Sequence, residues 1–267
     1  MSRRTVSIVL ITLFAVSLLS GCAKPAAQPE PAPKKYQDGV YEGYSWADDK
    51  GYAWAKVEIK DDKIVKVELK EFDALGLEKD FSVYPYAEAK KANEEMPAQF
   101  VAANSAQVDG VAKATSSSRK YRRAVAHALE KALVVPSNTN KYFDGIFMAI
   151  SDRTEKGWAI AWVTIEEDKI IDLKLIGTTP KRGADGEVVK DNAGNVVFER
   201  KLSEDLIENG EVKTARYPYL PYHEARAKMA ANILRAQSTN VDAVTGATGT
   251  SNQWKQAVDR ALEMAKK

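Results

Sequence analysis

At 267 residues, with 45% hydrophobic and 28% charged residues, the chain has ordinary globular composition and enough length for two small cores rather than one. Its 39 basic and 37 acidic residues leave a formal net charge of +2, which gives no electrostatic case for binding nucleic acid. One cysteine excludes an intramolecular disulfide, a thiolate zinc cage and an iron–sulfur cluster held by the protein. Two histidines without a Cys-x-x-Cys-His run exclude a c-type haem. No metal site is expected, so any redox chemistry must come from an organic cofactor.

The first segment is a targeting sequence. Arg3 and Arg4 precede an apolar run over residues 6–19, about the length of a signal h-region. It falls short of the roughly 20 apolar residues a membrane-spanning helix needs. The run ends Leu19-Ser20-Gly21-Cys22, which resembles the bacterial lipobox. That resemblance implies a lipoprotein signal peptide over residues 1–21, removed on export. Cys22 then becomes the diacylated N-terminus, anchored by lipid at the extracytoplasmic face of the cell membrane. The alternative is an ordinary signal peptide, or a helix anchor, with a chance cysteine. The Arg3-Arg4 pair is weakly similar to a twin-arginine signal, but Sec export is expected. Residues 22–35 read as a tether in which Pro25, Pro29, Pro31 and Pro33 favour an extended conformation. At about 3.1 Å per residue such a segment reaches on the order of 40 Å from the bilayer.

Beyond the tether the chain repeats itself. An offset of 106 maps Asp38-Gly39 onto Asp144-Gly145, Val57 onto Val163 and Asp62-Lys63-Ile64 onto Asp168-Lys169-Ile170. An offset of 133 then maps Asp109 onto Asp242, Ala124-Val125 onto Ala257-Val258 and Ala128-Leu129 onto Ala261-Leu262. Two domains follow, over residues 36–135 and 141–267. The extra 27 residues of the second read as an inserted hairpin, Val188-Val189 against Val196-Val197-Phe198, with residues 191–195 at its tip.

Within the first copy, Val57 and Ile59 alternate with Lys56, Glu58 and Lys60. After a turn at Asp61-Asp62, Val65, Val67 and Leu69 alternate with Lys66 and Glu68. This predicts a half-buried antiparallel hairpin. A helix interrupted by Pro97 is expected next, with a counterpart from Tyr222 to about Gln237. Tyr121, Ala124, Val125, Ala128, Leu129, Ala132 and Leu133 give the closing helix its apolar face, as do Trp254, Ala257, Val258, Ala261, Leu262 and Ala265 in the second copy. Strands segregated from helices argue an α+β fold, each domain an antiparallel sheet with helices.

Between the last two helices lies Asp242-Ala243-Val244-Thr245-Gly246-Ala247-Thr248, followed by Gly249-Thr250-Ser251. Small residues here deliver hydroxyls to a helix N-terminus, where unpaired N–H groups and the helix dipole suit a phosphate. Gly246 permits a positive φ, and Ala247 leaves room beside Thr248. Local chemistry alone also allows a plain turn with Thr250 or Ser251 as N-cap.

Residues 242–248 resemble the flavinylation signature of the FMN-binding domain family, Asp-x-x-(Ser/Thr)-Gly-Ala-(Thr/Ser). The family includes the flavin subunits of sodium-pumping NADH:quinone reductases and of Rnf complexes. It also includes two-domain extracellular electron-transfer lipoproteins of Gram-positive bacteria, which the mature chain resembles in layout. The resemblance implies covalent FMN on Thr248 through a phosphoester, attached by an exported flavin transferase, with Asp242, Thr245, Gly246 and Ala247 as the recognition loop. The first copy reads Asp109-Gly110-Val111-Ala112-Lys113-Ala114-Thr115. Asp109, Ala114 and Thr115 agree with the signature, making Thr115 a second candidate phosphoryl threonine, while Ala112 and Lys113 depart from it.

The resemblance further implies an electron carrier with one or two FMN groups. Its donor would be in the membrane, such as a quinone-linked NADH dehydrogenase, and its acceptor extracytoplasmic; no side chain is assigned a catalytic role. The alternatives are a binding or interaction lipoprotein without redox activity (a pheromone-precursor type included) and a flavin-dependent reductase with its own substrate. Packing is expected of Tyr84-Pro85-Tyr86 and of the tyrosines from Tyr217 to Tyr222, though either cluster could stack on a flavin ring. Trp54, Trp158 and Trp162 are expected in the core and His127 and His223 on the surface. The run Arg119-Lys120-Arg122-Arg123 reads as a solvated helix face.

Overall fold

The computed structural model describes residues 33–201, 207–208, 211–212, 217 and 219–267. Cys22, the apolar run and the tether up to residue 32 lie outside the described residues. Residues 34–267 form one compact unit.

Strands β1 (Gly39–Tyr44), β2 (Tyr52–Lys60) and β3 (Lys63–Phe72) form an antiparallel sheet in that order. Between β2 and β3 only Asp61 and Asp62 turn the chain, with φ of 51° and 64°, the two-residue turn whose twist matches a hairpin. Left-handed backbone is unfavourable for residues bearing a Cβ, and carboxylates offset it here. Asp62 accepts the N–H groups of Lys35 (3.0 Å) and Tyr36 (2.7 Å), while Asp38 accepts that of Asp61 (3.1 Å). The second copy does the same: Asp168 accepts from Lys141 and Tyr142, and Asp144 from Glu167. These backbone hydrogen bonds hold the Asp38 and Asp168 carboxyls below the usual range.

One detail departs from strict alternation. A bulge between Glu58 and Ile59 pairs Ile59 with Ile64 and Glu58 with Lys66, so Val65 is the extra residue and is 46% exposed. The second copy repeats it, leaving Ile171 52% exposed beside buried Ile170. Val65 is therefore outside the core, because a bulge resets the period of two.

Helices α1 (Ala87–Ala103) and α2 (Thr115–Lys131) cover one face of the sheet, α1 against β3 and α2 against β1 and β2. Tyr121, Ala124, Val125 and Ala128 of α2 pack with Ala53, Ala55 and Val57. Pro97 does not interrupt α1, contrary to expectation. Buried Met96 and Phe100 hold that stretch against the sheet and offset the hydrogen bond the proline cannot make. The second copy follows with β4 (Gly145–Ile150), β5 (Ala159–Glu166), β6 (Lys169–Pro180), α3 (Leu220–Ala236) and α4 (Thr248–Ala265). Its insertion forms the expected hairpin, Lys190 bridging Val196 across a turn closed by Asp191 and Asn195. It then adds β7 (Phe198–Arg200) to the edge of β6. A short ribbon, β8 (Ile207–Glu208) with β9 (Glu211–Val212), lies before α3.

The repeats share a third core in which Tyr52 and Ala47 meet Met148, Trp158, Ile160, Trp162 and Ile176. Trp158 and Trp162 are thus buried, but Trp54 is only half-buried: it points away from the helices and donates from Nε1 to Glu42 at 3.2 Å. The seam also explains Gly145, since a Cβ there would come within 2.0 Å of the Trp46 indole nitrogen, which donates to the Asp144 carbonyl. The basic run is largely engaged. Lys120 is buried against Asp48 at 2.8 Å and Arg123 lies over the Trp46 ring at 3.7 Å, while Arg119 and Arg123 keep exposed surface.

Both histidines are buried rather than superficial. His223 donates from Nε2 to the Tyr217 carbonyl at 2.9 Å. His127 donates from Nδ1 to the Tyr44 carbonyl at 2.6 Å and stacks on Phe143 with ring centres 4.0 Å apart. Burial, aided by the charges of Arg123, Lys131 and Lys267, pushes its pKa from 6.5 down to about 3. Between these values the unfolded chain binds a proton that the folded chain refuses, so stability is full above pH 6.5 and falls as the pH drops. The slope for one proton approaches ~1.4 kcal/mol per pH unit. Melting temperatures recorded from pH 7 to pH 4.5 should fall steadily, and His127→Gln should flatten that decline. An unchanged slope in the variant would assign it to other groups.

Candidate functional site

The loops before α2 and α4 have the same geometry. Each is a turn closed by one hydrogen bond of 3.0 Å, from Ala114 N–H to the Val111 carbonyl and from Ala247 N–H to the Val244 carbonyl. The third residue of each turn has positive φ: 81° at Gly246 and 65° at Lys113. Lys113 thus adopts the conformation the glycine provides, at a strain of about 1 kcal/mol.

Two pairs of residues brace these turns, and sequence reasoning assigned neither to the site. Ser118 Oγ accepts the Val111 N–H at 3.0 Å and Ser251 Oγ the Val244 N–H at 3.2 Å. Tyr86 donates to the Lys113 carbonyl and Tyr219 to the Gly246 carbonyl, both at 2.8 Å. The signal was available, because both pairs obey the offset of 133. The N-cap positions are Ala114 and Ala247, neither with a side-chain cap, so Thr250 and Ser251 lie inside the helix rather than capping it. First-turn N–H groups have no partner within their own helix and face outward at these ends.

Each helix N-terminus borders a cleft. In the first repeat a cleft of about 750 Å³ is lined by Lys113, Ala114 and Thr115 together with Glu71, Lys79, Tyr84 and Tyr86. In the second, a cleft of about 980 Å³ is lined by Gly249, Thr250 and Gln253 with Trp158, Thr178, Lys201 and Tyr217. The clefts correspond through the duplication, as Tyr84 maps to Tyr217 and Ser117 to Thr250. Thr248 is the exposed first residue of α4, next to the lining residue Gly249. Ala247 is buried, whereas Thr245 and Gly246 are exposed on the turn. Asp109 and Asp242 are exposed and line neither cleft.

The electrostatics differ. Lys79 contacts Glu71 at 2.7 Å with both side chains nearly buried, and the Lys79 ammonium lies 4.8 Å from the Tyr84 ring centre. Burial works against this ammonium, but the hydrogen bond and charge of Glu71 prevail and raise its pKa. Lys201 is its structural counterpart: the Lys79 N–H donates to the Glu71 carbonyl and the Lys201 N–H to the Gly177 carbonyl, the matching residue. The insertion displaces Lys201 from either sequence offset, so the duplication pattern could not reveal it.

The clefts also lie close together. Trp158, which lines the second, donates from its indole to the Leu75 carbonyl at 2.9 Å, and the adjacent Ala74 lines the first. Arg200 grips the carbonyls of Asp49 (3.1 Å) and Ala74 (3.0 Å), both lining the first cleft, while the next residue, Lys201, lines the second.

In comparison with known families, the FMN-binding domain matches residues 50–130 and again 157–263. The chain belongs to the FMN-binding domain family. It is a flavoprotein with two FMN-binding repeats, and FMN is its cofactor. A search of curated proteins finds no match. The crystal structure of the CPE2226 protein from Clostridium perfringens is 22% identical to the chain. It covers 36% of this chain and 88% of its own, with a TM-score of 0.32.

The clefts fit the cofactor on their own chemistry. Both are within the size range of small-molecule sites. Each FMN-binding repeat offers a helix N-terminus and an ammonium suited to phosphate, and tyrosine faces that accept a heterocycle, Tyr84 and Tyr86 in the first cleft and Tyr217 in the second.

Proposed function

We propose that this protein is a lipid-anchored extracytoplasmic electron carrier, with FMN joined covalently to Thr248 and Thr115. Its donor is a membrane dehydrogenase of the quinone-linked NADH type, and its acceptor lies outside the membrane. Cys22 carries the lipid, and an exported flavin transferase installs the flavins. The observation that carries this reading is the equivalence of the two turns, Lys113 adopting the positive φ of Gly246 so that Thr115 and Thr248 both open a helix beside a cleft. Covalent attachment suits a protein outside the cell, where a dissociable cofactor is lost by diffusion.

When bound, FMN supplies reversible uptake of electrons. The chain's own residues position it. First-turn N–H groups of α2 and α4 would hold the phosphate, Tyr84, Tyr86 and Tyr217 would hold the ring, and the closeness of the two clefts would favour exchange between them. Asp109 and Asp242, outside the clefts, remain accessible to the transferase. The test is to produce the exported protein with its transferase and record the intact mass and a reductive titration. Two increments of FMN less one water, with reversible bleaching of the flavin band, are expected. A mass equal to that of the lipidated polypeptide alone would refute covalent attachment.

A further inference from the structure

The duplicated clefts are alike in outline and unlike in charge. Three carboxylates (Asp49, Glu71, Asp73) and three ammonium groups (Lys50, Lys79, Lys113) line the first. One carboxylate, Glu155, faces three cations in the second: Lys156, Arg182 and Lys201. The difference arises at two matched positions, where Gly177 stands for Glu71 and Thr179 for Asp73. The consequence falls on one side chain. Lys79 is tied to Glu71, whereas the Lys201 ammonium lies over the rings of Tyr217 (4.7 Å) and Tyr222 (5.0 Å). Among the described residues no ion pair to a carboxylate engages it. It is buried enough for desolvation to lower its pKa, whereas the pKa of Lys79 is raised.

We propose that Lys201 makes the flavin of the second cleft easier to reduce than that of the first, so that electrons entering the protein come to rest on the second repeat. The inference rests on the attachment of FMN in both repeats proposed above. A flavin gains negative charge on reduction at neutral pH, and a cation shielded from water stabilises that charge more than a neutral ion pair does. The exchange balances within the protein. The reduced flavin of the first cleft releases two electrons and one proton, the oxidised flavin of the second takes up two electrons and one proton, and no further oxidant or reductant is consumed.

The test uses the full chain with one flavin at a time, poised by spectroelectrochemistry. The Thr115→Ala protein, carrying only the second flavin, should have the higher midpoint potential. Lys201→Met in that background should lower it by at least a tenfold change in the ratio of reduced to oxidised flavin at fixed potential, about 30 mV for a two-electron couple. Lys201→Arg should preserve it. Glu71→Gln in the Thr248→Ala background should raise the potential of the first flavin, an opposite shift in a different repeat. Equal potentials in the two single-flavin proteins, or no response to Lys201→Met, would overturn the inference alone. Proteins in which neither threonine acquires flavin would overturn the attachment reading, and the inference with it.

Discussion

Thr248→Ala should remove one flavin from the protein, wholly rather than by degrees, and leave the other in place. Thr248 opens α4 directly after a turn closed from Ala247 to Val244, so its hydroxyl is exposed beside the cleft that Gly249 and Thr250 line. Removing the hydroxyl deletes the atom through which a phosphoester forms while leaving the turn and its braces, Ser251 and Tyr219, untouched. Intact mass should therefore fall by one FMN increment, with no change in melting temperature beyond that due to the lost cofactor. Thr115→Ala should produce the same loss from the first repeat, and the double variant should carry no covalent flavin. A flavin-bearing peptide containing residue 248 of the alanine variant would show that attachment lies elsewhere.

Trp254→Ala should have the largest effect on stability, about 4 kcal/mol, the range for an aromatic deleted from a packed core. Its side chain is fully buried, its indole donates to the Ile176 carbonyl at 2.9 Å, and its ring centre lies 5.2 Å from that of Tyr222. Alanine would leave a cavity and remove the indole's hydrogen bond to the Ile176 carbonyl beside Gly177, under the helix that presents Thr248. The denaturation midpoint should drop sharply. A loss below about 1 kcal/mol would mean that the site collapses around the gap more fully than cores usually do.

Much of this architecture is legible in the residue pattern. The period of two predicted the β2 and β3 hairpin, and the aspartate pair its turn. The apolar stripe from Tyr121 to Leu129 predicted the helix that fills the first core. The duplication located two equivalent loops. What escaped has a common physical character, because it depends on partners distant in sequence. Val65 resembles its neighbours in the strand and turns outward only because a bulge opposite Glu58 resets the register. His127 looks like a polar residue on a helix until Phe143 of the other repeat covers it. Lys120 reads as part of a solvated run until Asp48 is placed beside it. At the site, the sequence singled out the threonines and the glycine. The sequence matched Tyr86 with Tyr219 through the offset of 133, but their hold on the turns, and the lysine that differs between clefts, emerge only once the chain is folded.

The polar contacts described across the seam between the repeats end on main-chain oxygens: Trp46 on Asp144, Trp158 on Leu75, and Arg200 on Asp49 and Ala74. A carbonyl is the same acceptor whatever side chain its residue carries. The receiving half of each contact is therefore indifferent to substitution, provided the backbone keeps its path. Apart from Trp158, whose indole is itself a donor across the seam, each repeat can drift in the residues that line its own cleft without unseating its neighbour. A duplicated domain built this way can let its copies diverge in chemistry while their spacing is inherited unchanged.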